Sequence, residues 1–149
     1  MKLNLGCSDR HFEGFVNVDL CAPADIIADL NHRWPWDNSS IDEIRAWDVV
    51  EHLNSSIFTM NEAWRVLKPG GLFDIVVPTT DGRGAWQDPG HVSFWNRNSF
   101  FYFEHGNAHL TRFAPANGVR CAFQIVSEEE KMLGDHVSKL HIVLKAANL

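Results

Sequence analysis

The stretch Ser55-Ser56-Ile57-Phe58-Thr59-Met60-Asn61-Glu62-Ala63-Trp64-Arg65-Val66-Leu67-Lys68-Pro69-Gly70-Gly71-Leu72-Phe73-Asp74-Ile75-Val76-Val77 decides the fold. Its first half places Ile57, Met60, Trp64 and Leu67 at intervals of three and four, the stripe of an amphipathic helix with one buried face. Ser55 or Ser56 can cap its start. Lys68-Pro69-Gly70-Gly71 ends it: the lysine suits the negative end of the helix dipole, proline cannot continue the helix, and glycine accepts positive φ. The second half, 72–77, is a nearly continuous apolar run, as in a strand covered on both faces. Helix followed by such a strand is half of a βαβ unit, so the sheet is expected to be parallel.

Working outward, 2–5, 15–19, 25–28 and 41–47 read as four further short strands, the second with strict alternation. Between the third and fourth, Trp34-Pro35-Trp36 and Asn38-Ser39-Ser40 are turn chemistry. Beyond the fifth strand, 79–90 reads as a polar, Gly-rich loop and 96–103 as a short helix. Strands at 121–126 and 140–145, joined by 127–138, form an antiparallel pair at the sheet edge. The fold class expected is α/β: one domain over 1–149, Rossmann-like, with a mostly parallel central sheet and helices on both faces. The first crossover must be reduced, because only 7–14 separates two strands where a parallel connection usually takes about a dozen residues.

Composition sets limits. The chain has 149 residues, 45% hydrophobic and 21% charged, the balance of a globular domain and not of a disordered segment. Its apolar runs fall far short of the roughly 20 residues that span a bilayer, so no membrane partner is expected. The start lacks the basic and apolar regions of a secretory signal. Three cysteines with no CxxC spacing suit a reducing compartment, which makes the cytoplasm the expected location. A net charge of -6 gives no general attraction for phosphate backbones, so nucleic acid is disfavoured as a partner. An exposed sheet edge is compatible with a homodimer.

In open α/β sheets ligands bind beyond the carboxyl ends of the strands, where strand order reverses. The residues there are Gly6, Cys7 and Ser8; Asp19 and Leu20; Asp29 and Leu30; Trp47 and Asp48; and Pro78 and Thr79. A glycine after the first strand lets a ligand approach main chain. A carboxylate after the second can accept both hydroxyls of a ribose, and one after the third can accept from an exocyclic amine such as that of adenine.

These residues and their order resemble the class I S-adenosylmethionine-dependent methyltransferases, in particular small members of the methyltransferase type 11 kind. The resemblance runs through Leu3-Asn4-Leu5-Gly6-Cys7-Ser8, Val16-Asn17-Val18-Asp19, Ala28-Asp29-Leu30, Ile41-Asp42-Glu43-Ile44, Val49-Val50-Glu51-His52-Leu53 and Arg65-Val66-Leu67-Lys68-Pro69-Gly70-Gly71. It covers 2–78, and Asp88-Pro89-Gly90-His91-Val92 is similar to a segment of some of these small enzymes. The resemblance implies S-adenosyl-L-methionine as cofactor. Asn4 and the main chain of Gly6, Cys7 and Ser8 would lie at its methionine end, Asp19 and Leu20 at the ribose, and Asp29 and Leu30 at the adenine. Trp47 and Asp48 would surround the transferred methyl. This chain departs from the family pattern at Ser8, usually a second glycine, and at Asn4, often acidic. With no helix ahead of the first strand, the site is expected to be open or closed by 79–118.

The function expected is methyl transfer to an oxygen or nitrogen of a small-molecule or conjugated acceptor. A sulfonium methyl is already activated, so the protein needs to align a nucleophile, exclude water and, for oxygen, supply a base. His91 is the first candidate and His52 the second, with Asp48 or Asp88 orienting one of them. The alternative is a non-catalytic S-adenosylmethionine-binding or interaction module on the same fold. A nicotinamide dehydrogenase fits poorly: GxGxxG is replaced by Gly6, Ser8 and His11, and Asp19 comes too early for the ribose acid. No metal is expected, because His91, His105 and His109 with Asp88 and Glu104 match no standard ligand spacing. Glu51-His52 reads equally as the first turn of a helix, and 128–131 as a solvated loop. Trp64 is core by its spacing, while Trp86 and Trp95 lean toward core over a stacking platform.

Overall fold

A computed structural model of the chain describes residues 1–148. Seven strands form one sheet: β1 (Lys2–Leu5), β2 (Val16–Asp19), β3 (Ile26–Ile27), β4 (Ile41–Trp47), β5 (Leu67–Pro78), β6 (Phe123–Met132) and β7 (Ser138–Ala146). Their order is β3-β2-β1-β4-β5-β7-β6. The first five are parallel, and β7 runs antiparallel to both β5 and β6. Chain order reverses between β1 and β4, the position at which α/β sheets open a crevice.

Alternation sorts the strands into two unlike faces. Leu3, Leu5, Val18, Ile44, Ala46, Phe73, Ile75, Val77, Leu140, Ile142 and Leu144 point to one side and are 0–2% exposed. Against them lie α1 (Ser56–Val66), whose Met60, Ala63 and Val66 are fully buried, together with Trp34, Trp36, Trp95, Phe100 and Phe103. The opposite side carries Lys2, Asn4, Asn17, Glu43, Arg45, Trp47, Asp74 and His141, by register. The helices thus flank the sheet less evenly than the apolar run at 72–77 implies. The second face is left to the β1–β2 loop, where Phe12 and Phe15 lie 4.4 and 4.7 Å from the Arg45 guanidinium, which also sits 4.6 Å from the Trp47 ring.

The shortened first crossover holds together through asparagines. Asn4 Nδ2 donates to the Arg10 carbonyl at 2.8 Å and to Asn17 Oδ1 at 2.9 Å, and Asn17 Oδ1 also accepts from the Phe12 N–H. These bonds fold the loop back over β1 and β2 without a helix. The third crossover, between β3 and β4, is also helix-free and is clamped from α1. Glu62 and Arg65 pair at 2.7 Å through two contacts; Glu62 accepts from the Trp34 N–H, and Arg65 donates to the carbonyls of Trp34 and Trp36.

Several boundaries differ from expectation. The helix ends at Val66, and Leu67 is already extended, so Lys68-Pro69-Gly70-Gly71 belongs to β5 as an irregularity between the Ile41↔Leu67 and Glu43↔Leu72 pairs. Gly70 does adopt φ +81° there. Residues 127–132 continue β6 as a charged strand at the sheet edge, where exposed Glu and Lys leave no apolar face to reveal it. The 79–90 loop contains α2 (Gly84–Gln87), and 97–103 is a 3-10 helix. The helix α3 (Ala108–Asn117) was not expected: it buries no residue, contains Pro115, and has only the short, partly covered apolar row Leu110, Phe113 and Ala114. Trp64 is partly buried against the core and Trp95 fully buried, while Trp86 is 59% exposed and stacks on Phe94 with centroids 4.6 Å apart.

Arg65→Ala is expected to cost about 2–3 kcal/mol, because it leaves the Glu62 carboxylate without its counter-charge and takes a donor from two carbonyls of the crossover. Urea unfolding followed by tryptophan fluorescence measures this, and a loss below about 0.5 kcal/mol would contradict the clamp.

Candidate active site

The chain leaves β1 at Gly6 with φ +60°. A Cβ there would lie 2.4 Å from Val49 Cγ2, so only glycine lets this turn pass over the segment that follows β4. Two residues on, Ser8 also has positive φ and its N–H donates to Asp19 Oδ2 at 2.8 Å. The Leu20 N–H donates to the other oxygen at 2.7 Å. Asp19 is thereby fixed at the end of β2, and each oxygen keeps a further lone pair. At the end of β3, Asp29 accepts from the Asn31 N–H at 2.9 Å. That bond, opposed by partial desolvation and helped by the Asn31 side chain and His32, holds its carboxyl below the usual carboxylate range.

Gly6, Asp19, Leu20, Asp29, Leu30 and Asp48 line one cleft. It continues at Asp48 and His52 into a second cleft, lined by Glu51, Gln87, Asp88, His91 and Lys139. Asp48 closes β4 with φ +57°, and Lys139 Nζ from β7 grips its carboxylate at 2.7 and 2.8 Å. His52 lies in the 3-10 turn Val50–His52, and its Nδ1 is 2.9 Å from the Gly90 carbonyl. His91 Nδ1 is 3.1 Å from the Ala85 carbonyl, and the two imidazole centroids are 4.8 Å apart. A carbonyl only accepts, so each Nδ1 carries a proton, and in the neutral imidazole Nε2 is the nitrogen with the lone pair.

The loop bearing His91 is tied to the turn bearing His52. The N–H groups of Val92 and Ser93 both donate to the Glu51 carbonyl, at 2.9 and 3.0 Å, and the Ser93 hydroxyl donates to the Val50 carbonyl at 2.8 Å. Glu51 itself is 2% exposed, and burial pushes its carboxyl up to about 7, its own N–H opposing and Asp48 adding to the rise.

Not every residue anticipated at the cofactor lines these clefts. Asn4 is 4% exposed and serves the first crossover. Trp47 alternates to the opposite face, where its Nε1 donates to Asp74 Oδ1 at 3.0 Å. The Cys7 side chain is buried, with Sγ 3.8 Å from the Pro23 carbonyl, so main chain alone of this residue is available. Ser8 acts by holding Asp19. His91, His52 and Asp48 do share the second cleft, but Asp48 is bound to Lys139, and it is Asp88 whose Oδ2 approaches His91 Nε2, at 3.6 Å. His109 sits in α3 among Phe101, Tyr102 and Phe113, apart from His91. Lys139 and Glu51 were missed as site residues: one lies on a distant strand, and the burial of the other depends on a loop some forty residues away.

Residues 10–75 match the family model described as a methyltransferase domain. No curated protein matches the chain in sequence. Among solved structures, an S-adenosylmethionine-dependent methyltransferase from Methanosarcina mazei superposes with a TM-score of 0.69 at 15% identity, over 99% of this chain and 92% of that one. The 1,6-didemethyltoxoflavin-N1-methyltransferase of Burkholderia thailandensis, solved with 1,6-didemethyltoxoflavin and S-adenosylhomocysteine, gives 0.65 at 12% identity, over 99% and 71%.

The raised Glu51 carboxyl makes stability depend on pH. Between its usual value of 4.5 and about 7 the unfolded chain holds fewer protons than the folded one, so stability falls as pH rises through this window. The fall amounts to about 3 kcal/mol and is then constant. Glu51→Gln should flatten it, as measured by urea melts in EDTA-containing buffer at several pH values. The match to the methyltransferase-domain model over 10–75 and the sheet order, with its reversal between β1 and β4, both agree with the resemblance to class I S-adenosylmethionine-dependent methyltransferases read in the sequence.

Proposed function

We propose that this chain is an S-adenosylmethionine-dependent methyltransferase acting on an oxygen or nitrogen nucleophile of a small-molecule or conjugated acceptor, bound in the cleft of His52, Gln87 and His91. The observation that carries the reading is the junction at Asp48 and His52, where a cleft with the carboxylates of Asp19 and Asp29 and bare main chain meets one with two imidazoles. The first has the donors and acceptors a nucleoside needs. Asp19 can accept from both ribose hydroxyls, Asp29 can accept from the adenine amine, and the main chain at Gly6 and Ser8 can receive the amino acid end. The fit is supported by Gly6, since a side chain there would displace Val49 from the cleft wall.

S-adenosylmethionine, once bound, supplies a methyl group already activated on a sulfonium sulfur. The chain's own residues then have to orient the nucleophile and keep it unprotonated. The inward Nε2 lone pairs of His52 and His91 suit the second task. Trp86 and Phe94, both exposed and stacked, extend an aromatic surface beyond Gln87 on which the body of an acceptor can rest.

Thermal melts with S-adenosylmethionine, S-adenosylhomocysteine and NAD in turn test the cofactor. A ligand at about 100 times its Kd adds about 2.7 kcal/mol. Stabilisation by the first two and not by NAD is expected, and Asp19→Ala should abolish it. An undiminished shift would remove Asp19 from the ribose. In transfer assays with methyl-labelled cofactor and a panel of hydroxyl and amine acceptors, His91→Ala should bind S-adenosylhomocysteine as the parent does while losing at least about tenfold in turnover. Unchanged turnover would exclude the imidazole pair from the acceptor site.

A further inference from the structure

We infer that Glu51, His52 and His91 form a binding site for a divalent first-row transition ion of the zinc class, set beside the cofactor cleft to hold the acceptor's oxygen. One ligand atom from each of the three lies within 4.8 Å of the other two, close enough for small side-chain rotations to bring them onto one ion. The inference rests on the methyltransferase reading only for the role of the ion, because the site itself is read from these side chains.

Three independent features point the same way. Glu51 is 98% buried by residue, and its Oε2 has no hydrogen-bond partner among the described residues although it faces the second cleft. A buried carboxylate oxygen without a partner is costly, and a cation removes the cost. Both histidines donate Nδ1–H to a main-chain carbonyl, which fixes the tautomer that leaves Nε2 for a metal and resembles the support metal-bound histidines receive. The third is charge: Asp48, Glu51 and Asp88 face the cleft against the single ammonium of Lys139. Lys139 is committed to Asp48, so the imidazoles and Glu51 remain free for the ion.

Two imidazoles and one carboxylate suit zinc and its neighbours better than magnesium or calcium, which prefer oxygen ligands alone. Asp88 Oδ2, 3.6 Å from His91 Nε2, is within reach as a fourth ligand. With only Glu51, His52 and His91 bound, a fourth position would be left for the acceptor. An acceptor hydroxyl bound there would have its pKa lowered by the ion, the task otherwise left to a lone imidazole. The hydrogen bonds from Val92 and Ser93 to the Glu51 carbonyl hold the three ligands together before any ion arrives.

The test uses tag-free full-length protein stripped with EDTA and titrated with Co2+, whose visible absorption reports nitrogen and oxygen coordination, with Zn2+ titrated by calorimetry in parallel. One ion per chain with a Kd of micromolar or below is expected. Glu51→Gln, His52→Ala and His91→Ala should each weaken binding by at least about tenfold. His52 is exposed, so its variant keeps the fold, and circular dichroism checks the other two. Asp19→Ala should bind Co2+ like the parent. No cobalt spectrum, or equal affinity in all three ligand variants, overturns the site. Binding of S-adenosylhomocysteine is measured on the same samples: if it binds and Co2+ does not, the ion site falls while the methyltransferase reading stands, and the reverse result keeps the ion site and rejects the cofactor cleft.

Discussion

The structure depends on a topological constraint at one strand. β1 is paired in parallel with β2 on one side and with β4 on the other, so the chain must leave it in one direction and return past it in the opposite one. No connection can cover the point where the two directions part. Whatever follows the carboxyl ends of β1, β2, β3 and β4 therefore borders the same opening. The identity of the residues placed there, Gly6, Asp19, Asp29 and Asp48, is a matter of sequence. That they meet at all is a matter of strand order.

Around that opening the chain uses polar side chains for work that helices perform in larger α/β domains. A parallel crossover usually needs a helix to span the return path and cover the sheet. Here Asn4 and Asn17 fold the first crossover back upon its strands, and Glu62 with Arg65 clamps the third. Each of these hydrogen bonds contributes little against water, but they are directional and largely removed from solvent, and losing one partner leaves the other unpaired. Order in the connections follows from that asymmetry more than from apolar burial.

This explains what could be read from the sequence and what could not. The β4 limits and the helix at 56–66 were legible because their apolar residues recur with the period of the element and all face one core. The acidic residues after β2 and β3 were legible because the switch-point rule assigns them a place. Asn4 and Trp47 lie outside the cleft because strand alternation turns them to the opposite face, and a motif read residue by residue does not register which way each side chain points. Helix α3 and the far half of β6 bury almost nothing, so their few apolar residues do not mark them out. The Glu51, His52 and His91 cluster stayed hidden for another reason. Its members come from two segments about forty residues apart, joined by hydrogen bonds of Val92 and Ser93 to the Glu51 carbonyl, of Ser93 to Val50 and of His52 to Gly90.

The wet side of the sheet has its own bearing on how such a domain can change. Glu43, Arg45, Asp74 and His141 stand on it in contact with one another, and Phe12 and Phe15 of the short first loop close over the guanidinium. Lengthening that loop into an ordinary crossover helix would seal ionised groups under an apolar layer, a change that costs several kcal/mol per unpaired charge. The pared-down architecture is thus a one-way road: regaining the missing layer would require rewriting a whole row of strand residues at once, and no single insertion could be accepted on its own.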